Sequence, residues 1–137
     1  MWWIYALLSA LFAALTAVLA KVGIKGVNSD LATAIRTVVI LVVAWGIVFF
    51  KDQPRELFTL APRTWLFLGL SGLATGLSWL CYFRALQLGK VSQVAPVDKL
   101  SVALAIVLSV VFLGETLTLK AALGAVLIIG GTLVLIF

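Results

Sequence analysis

The chain has no histidine and a single cysteine, Cys81. Without histidine it lacks the commonest metal ligand and the side chain that titrates closest to neutral pH. One cysteine rules out an intrachain disulfide and every zinc or iron–sulfur spacing. Set among Trp79, Leu80, Tyr82 and Phe83, Cys81 reads as a small buried hydrophobe. No nucleophile–base pair and no metal cluster is present, so neither an enzyme nor a cofactor is expected. Charge is scarce as well, at 11% of 137 residues against 64% hydrophobic. A soluble domain carries roughly 25% charged residues on a background about 45–50% apolar. So few polar groups cannot cover a surface in water, and the expected solvent is lipid. No Pro/Ser-rich linker or low-complexity tract divides the chain, and one small domain is expected. A cleavable leader is not expected either. Met1-Trp-Trp has no basic flank, and the apolar run behind it is too long for a signal sequence.

The charge that remains is positive, +5 net. No basic cluster interleaved with aromatics exists, so nucleic acid is not an expected partner. Most of the cations sit in short breaks between apolar runs, as in membrane loops beside anionic lipid.

Five such runs are legible, and the expected helices cover about 2–25, 30–50, 63–88, 92–113 and 118–137. At roughly 1.5 Å per residue each can cross a hydrocarbon layer about 30 Å thick. The first run has no charge from Trp2 to Ala20, and Trp2, Trp3 and Tyr5 suit an interfacial belt. Ser9, Ala13, Thr16, Ala20 and Gly23 give it one small face, read as close helix packing rather than a cavity wall. Asn28, Ser29 and Asp30 are all good N-caps for the second helix, Pro62 suits the start of the third, and Thr118 suits the cap of the fifth. The stretch 51–56 reads as a solvated loop.

Three charges fall inside the runs. Arg36 lies early in the second, beside Thr33 and Thr37. It either snorkels back to the interface or faces a polar interior, a carboxylate or a substrate. In the fourth run, Pro96 is followed by Asp98 and Lys99. An ionisable group at membrane depth costs at least about 2.5–3.5 kcal/mol and is a functional-site hypothesis by default. Two readings of Pro96 stand. Inside a helix it frees the Ser92 carbonyl and kinks the chain; at a helix start it leaves an ordered, non-helical entry. Asp98 shares a face with Ser101, and Lys99 points about 100° away. The two are therefore expected to make separate contacts, with Arg36 a candidate partner for Asp98. The third run carries Ser71, Thr75, Ser78 and Tyr82 in one stripe and Gly72, Gly76, Trp79 and Phe83 in another, which together look like a cavity lining. In the last run Gly124 and Gly131 fall two turns apart on one face, suiting a tight helix contact.

Five spans put the termini on opposite sides of the membrane. The basic residues then divide evenly: Lys51, Arg55, Arg63 and Lys120 on one side, Lys21, Lys25, Arg84 and Lys90 on the other. Lysine and arginine bias normally fixes orientation. With no bias, copies are expected to insert both ways and to pair about an axis in the membrane plane.

These residues together resemble the drug/metabolite transporter superfamily, specifically single-repeat EamA-like proteins of the bacterial/archaeal transporter type. The landmarks are Arg36, Trp79-x-x-Tyr82-Phe83-x-Ala85-Leu86, Ala95-Pro96-Val97-Asp98-Lys99-Leu100-Ser101, Leu113-Gly114-Glu115 and the Gly124–Gly131 segment. The resemblance implies an all-α membrane protein whose five helices form one half of an inverted-repeat transporter. It implies an antiparallel homodimer in a prokaryotic plasma membrane, working by alternating access on a small polar or amphipathic metabolite. The expected substrate-binding residues are Asp98, Lys99, Arg36, Ser101, Ser78, Trp79, Tyr82, Thr75 and Pro96, with Gly124 and Gly131 at the dimer interface. The alternative is a non-transporting half-subunit of a heteromeric transporter or lipid-carrier flippase. One departure is plain. Small multidrug members carry a carboxylate in their first helix, and Trp2 to Ala20 has no acid.

Overall fold

The computed structural model describes residues 1–51 and 54–137, with backbone alone at 54–56. Part of the expected 51–56 loop, including the charge of Arg55, therefore lies outside the described residues. Six α-helices appear: α1 (Trp2–Gly23), α2 (Ser29–Phe50), α3 (Pro62–Leu88), α4 (Val91–Asp98), α5 (Leu100–Leu113) and α6 (Leu119–Ile136). A short 3-10 turn, Pro54–Thr59, precedes α3. With α4 and α5 taken as one interrupted span, five segments of 18 to 27 residues are long and apolar enough to cross a membrane. The protein is an all-α, multi-pass membrane protein. Large apolar side chains cover its outside, Leu7, Phe12, Val42, Leu73 and Val134 among them. In lipid that exposure costs nothing.

The helix ends are fixed by local chemistry. Asn28 caps α2, its side-chain oxygen accepting from the amides of Asp30 at 2.8 Å and Leu31 at 3.2 Å. Thr118 does the same for α6, accepting from Ala121 at 3.2 Å. Pro62 opens α3, where its missing N–H is no loss. Gly114 closes α5 in the left-handed region (φ 67°), a conformation that favours glycine.

The chain forms two compact units, residues 19–87 and residues 1–18 with 88–137. In the 19–87 unit, Ala20, Ile24, Ser29, Thr33, Phe83 and Leu86 are buried. Two helix ends cap each other there. The Lys21 ammonium donates to the carbonyl of Leu86 near the end of α3. In return the Gln87 amide donates to the carbonyls of Ile24, at 3.2 Å, and Val27, beyond the end of α1. The Leu86 carbonyl lies in the last turn of α3, where carbonyls lack an intrahelical donor, while that of Ile24 also accepts from the Val27 amide at 3.3 Å. In the other unit α6 packs on α4 and α5, with Ala103 and Thr132 buried.

Of the small face expected along α1, Ala20 is buried and Thr16 half-buried, while Ser9 and Ala13 are exposed. Cys81 corrects the sequence reading: it is exposed, not buried. An apolar neighbourhood in sequence does not separate a lipid-facing position from a packed one.

Candidate functional site

The fourth span is where the helix is interrupted. It begins at Val91, so Pro96 lies inside α4 and not at its start. Proline removes the bond its N–H would make to the residue four back. The regular helix is interrupted three residues later, at Lys99, which stands between α4 and α5. The Lys99 amide bonds to the carbonyls of Pro96 at 3.0 Å and Ala95 at 3.3 Å. Thr132 of α6 holds the break from the side. Its hydroxyl donates to Ile128 of its own helix at 2.8 Å and to the Pro96 carbonyl at 3.2 Å.

The charges at this break are not separate. Lys99 Nζ lies 3.1 Å from Asp98 Oδ2. Adjacent side chains on a regular helix do not face one another. The backbone at Lys99 stays right-handed (φ −72°, ψ −9°), and the pair forms because the four-carbon lysine stem folds back onto the neighbouring carboxylate at this loosened turn. The expectation that the two make separate contacts is therefore overturned. The two side chains remain 33% and 56% exposed, so the pair is neutral but accessible. Ser101, one turn on, is exposed as well.

Arg36 has a different setting. Its guanidinium carbon sits 4.0 Å from the centre of the Phe83 ring. Phe83, at 2% exposure, is a fixed platform, with Tyr82 against it at 5.4 Å and an interplanar angle of 69°. Tyr82 is also near enough to interact electrostatically with Arg36. The Nη1 atom is buried and has no hydrogen-bond partner among the described residues. Upstream, Thr33 donates to Ser29 and Thr37 to Thr33, both at 2.8 Å along α2. Those hydroxyls are satisfied by their own helix and do not serve Arg36.

The structure thus brings Arg36 and Tyr82 together, and separately Pro96, Asp98 and Lys99. Trp79 is half-buried one turn before Phe83. Thr75 and Ser78 are exposed, and Thr75 bonds back to Ser71 at 2.9 Å. Gly124 is half-buried and Gly131 exposed, and a Cβ built on either would meet no described atom within 4 Å. Sequence reasoning missed two positions. Phe83 was grouped with the aromatics but not with the charge it supports. Thr132 was overlooked although it is the one hydroxyl residue between Leu119 and Phe137. Among the described residues no cluster of three or more metal-ligating side chains forms.

An interrupted span with a charged break, and a second charge set in aromatic surroundings, are features of a solute path more than of a lipid anchor. The comparison with known proteins agrees. All 137 residues match the EamA-like transporter family. The chain belongs to that family. An uncharacterized transporter encoded in the cobO 3′ region of a Sinorhizobium species is 57% identical over 134 residues, 98% of this chain and 95% of that protein. An uncharacterized protein of Methanocaldococcus jannaschii is 39% identical over 66 residues, 48% of each. No solved structure matches. The EamA-like resemblance read from the sequence holds over the full length, and a membrane transporter is the functional class it brings.

Proposed function

We propose that this EamA-like protein is one half of a secondary transporter. Two copies, inserted in opposite senses in a prokaryotic plasma membrane, would pair and carry a small polar or amphipathic metabolite by alternating access. The observation that carries this reading is the fourth span. A helix loosened at Lys99, three residues after Pro96, with an accessible ion pair at the irregular turn, can serve as a joint and gives a polar surface at membrane depth. A merely structural span has no use for either.

The pairing is supported by three features. The basic residues divide four and four between the two sides, with Arg36 and Lys99 set apart as intramembrane. Gly124 and Gly131 on α6 leave room for close approach, with no described atom within 4 Å of a Cβ built on either. The Sinorhizobium relative is matched over 95% of its own length, so it too is of single-repeat size.

The paired charges no longer suggest a zwitterionic substrate, because Asp98 and Lys99 neutralise each other. Their proposed part is to keep the break polar and jointed while the solute passes. The test is exchange in proteoliposomes loaded with a panel of labelled carboxylates, amines and neutral metabolites. Wild-type protein should exchange at least one of them, and the Asp98→Asn/Lys99→Gln double variant should lose that exchange. Unchanged exchange in the double variant sinks the role given to the break. Stable co-purification with a distinct five-helix protein would favour the heteromeric half-subunit instead.

A further inference from the structure

We infer that Arg36, held on the Phe83 ring beside Tyr82, is a binding site for the carboxylate of an organic anion. The inference deepens the transporter reading and rests on it for one consequence, that the carried solute is an anion.

Arg36 stands seven residues inside α2, roughly 10 Å along the helix from Ser29. A guanidinium at that depth is expensive unless an anion meets it. The 19–87 unit offers little. Among its residues with described side chains the one acid is Asp30, exposed in the first turn of α2 and 3.5 Å from the Ser29 hydroxyl. It precedes Arg36 by six residues, so the two lie on different sides of the helix. Elsewhere Asp98 is taken by Lys99. The positive charge therefore lacks an ion-pair partner among the described residues.

How Arg36 is held defines what it can bind. Its face is spent on Phe83, but stacking leaves the N–H edge of a guanidinium free. One of those nitrogens, Nη1, is stripped of water and has no acceptor among the described residues, so a carboxylate reaches it as the surrounding side chains give way. A planar fork of donors fits two coplanar oxygens, the geometry of a carboxylate. A cationic solute would be repelled, and a neutral one would leave the charge uncompensated. Where α1 turns into α2, a recess of about 370 Å³ is lined by Lys21, Lys25 and Gln87 with no acid. It gives this unit a second, interfacial surface of the same sign, suited to drawing anions in.

A lipid phosphate presents similar oxygens, so the test must separate the two sources. Full-length protein would be placed in phosphatidylcholine nanodiscs, and thermal unfolding and tryptophan fluorescence followed while benzoate, benzyl alcohol or benzylamine is added. Benzoate alone should stabilise the wild type saturably. Binding should weaken roughly tenfold or more in Arg36→Gln and less in Arg36→Lys, which keeps the charge but loses the fork. Equal protection by benzoate and benzyl alcohol in the wild type overturns the inference, even if Arg36→Gln fails to fold. So does benzoate protection unaltered by Arg36→Gln. Stabilisation by added phosphatidylglycerol but not by benzoate, lost in Arg36→Gln, assigns the charge to lipid and also overturns it. Arg36-dependent benzoate binding without any flux in proteoliposomes would retire the transporter reading and keep the site. Flux of amines without carboxylate binding would do the reverse.

Discussion

Two regions of this chain carry charge at membrane depth, and they treat it in opposite ways. At the α4–α5 break, Asp98 and Lys99 cancel each other within 3.1 Å. On α2, Arg36 has an aromatic platform but an Nη1 without an acceptor. The first arrangement is complete in itself and needs no ligand to satisfy it. The second is incomplete and, under the proposal, is the one that selects among solutes. On that reading the break supplies mechanics and the arginine supplies recognition.

Single-charge substitutions should separate the two most sharply. Lys99→Gln leaves Asp98 without its partner at depth. It should lower stability by about 2.5–3.5 kcal/mol, the scale for an uncompensated charge in a spanning helix. The Asp98→Asn/Lys99→Gln double variant should regain most of that loss. A thermal-unfolding series in nanodiscs reads both. Additive losses in the double variant would show that the pair is not self-contained.

Gln87→Leu should come next in size. It removes the amide that caps the carbonyls of Ile24 and Val27 and the acceptor that Arg84 uses at 3.1 Å. A loss of about 1–2 kcal/mol is expected. Benzoate binding should fall with it, because α1 and α3 are tied together there, while the 98–99 pair stays intact. A fully stable Gln87→Leu protein contradicts the mutual capping.

Arg36→Gln should barely move stability. It gives up a cation–π contact of about 0.5–2 kcal/mol and relieves a buried unpaired donor costing about 1–3 kcal/mol. The unliganded variant should melt within a few degrees of wild type, or above it, while its carboxylate response disappears. A drop matching that of Lys99→Gln would mean that Arg36 already has a partner and that the contrast between the regions is false.

Thr132→Val is the smallest change. Hydrogen bonds between membrane helices average about 0.6 kcal/mol. Losing the bond to Pro96 should alter exchange rates by a few-fold at most and leave carboxylate affinity untouched; Thr132→Ser should behave as wild type.

The five spans were legible because a bilayer imposes a length and an apolar requirement that the runs around Trp2, Leu31, Arg63, Ser92 and Leu119 meet visibly. Caps at Asn28 and Thr118 were legible because their chemistry is local. Arg36, Pro96, Asp98 and Lys99 stood out because charge and proline are costly in lipid. Their partners did not stand out. The Asp98–Lys99 pair depends on the reach of the lysine stem at a loosened turn, and a projection along a regular helix places the two about 100° apart. Phe83 under Arg36 joins residues far apart in sequence, which periodicity cannot pair. Cys81 was misread because lipid-facing and buried positions share one composition.

Under the proposed pairing, both regions work only when a second copy completes the path. The direct test uses Thr116→Cys in a Cys81→Ala background, which puts one thiol in the α5–α6 turn, away from the helix caps. Intact cells would be treated with a membrane-impermeant maleimide before and after permeabilisation. The antiparallel pair predicts that about half of the copies react from outside and the remainder only after permeabilisation. Labelling of all copies from one side alone would contradict it.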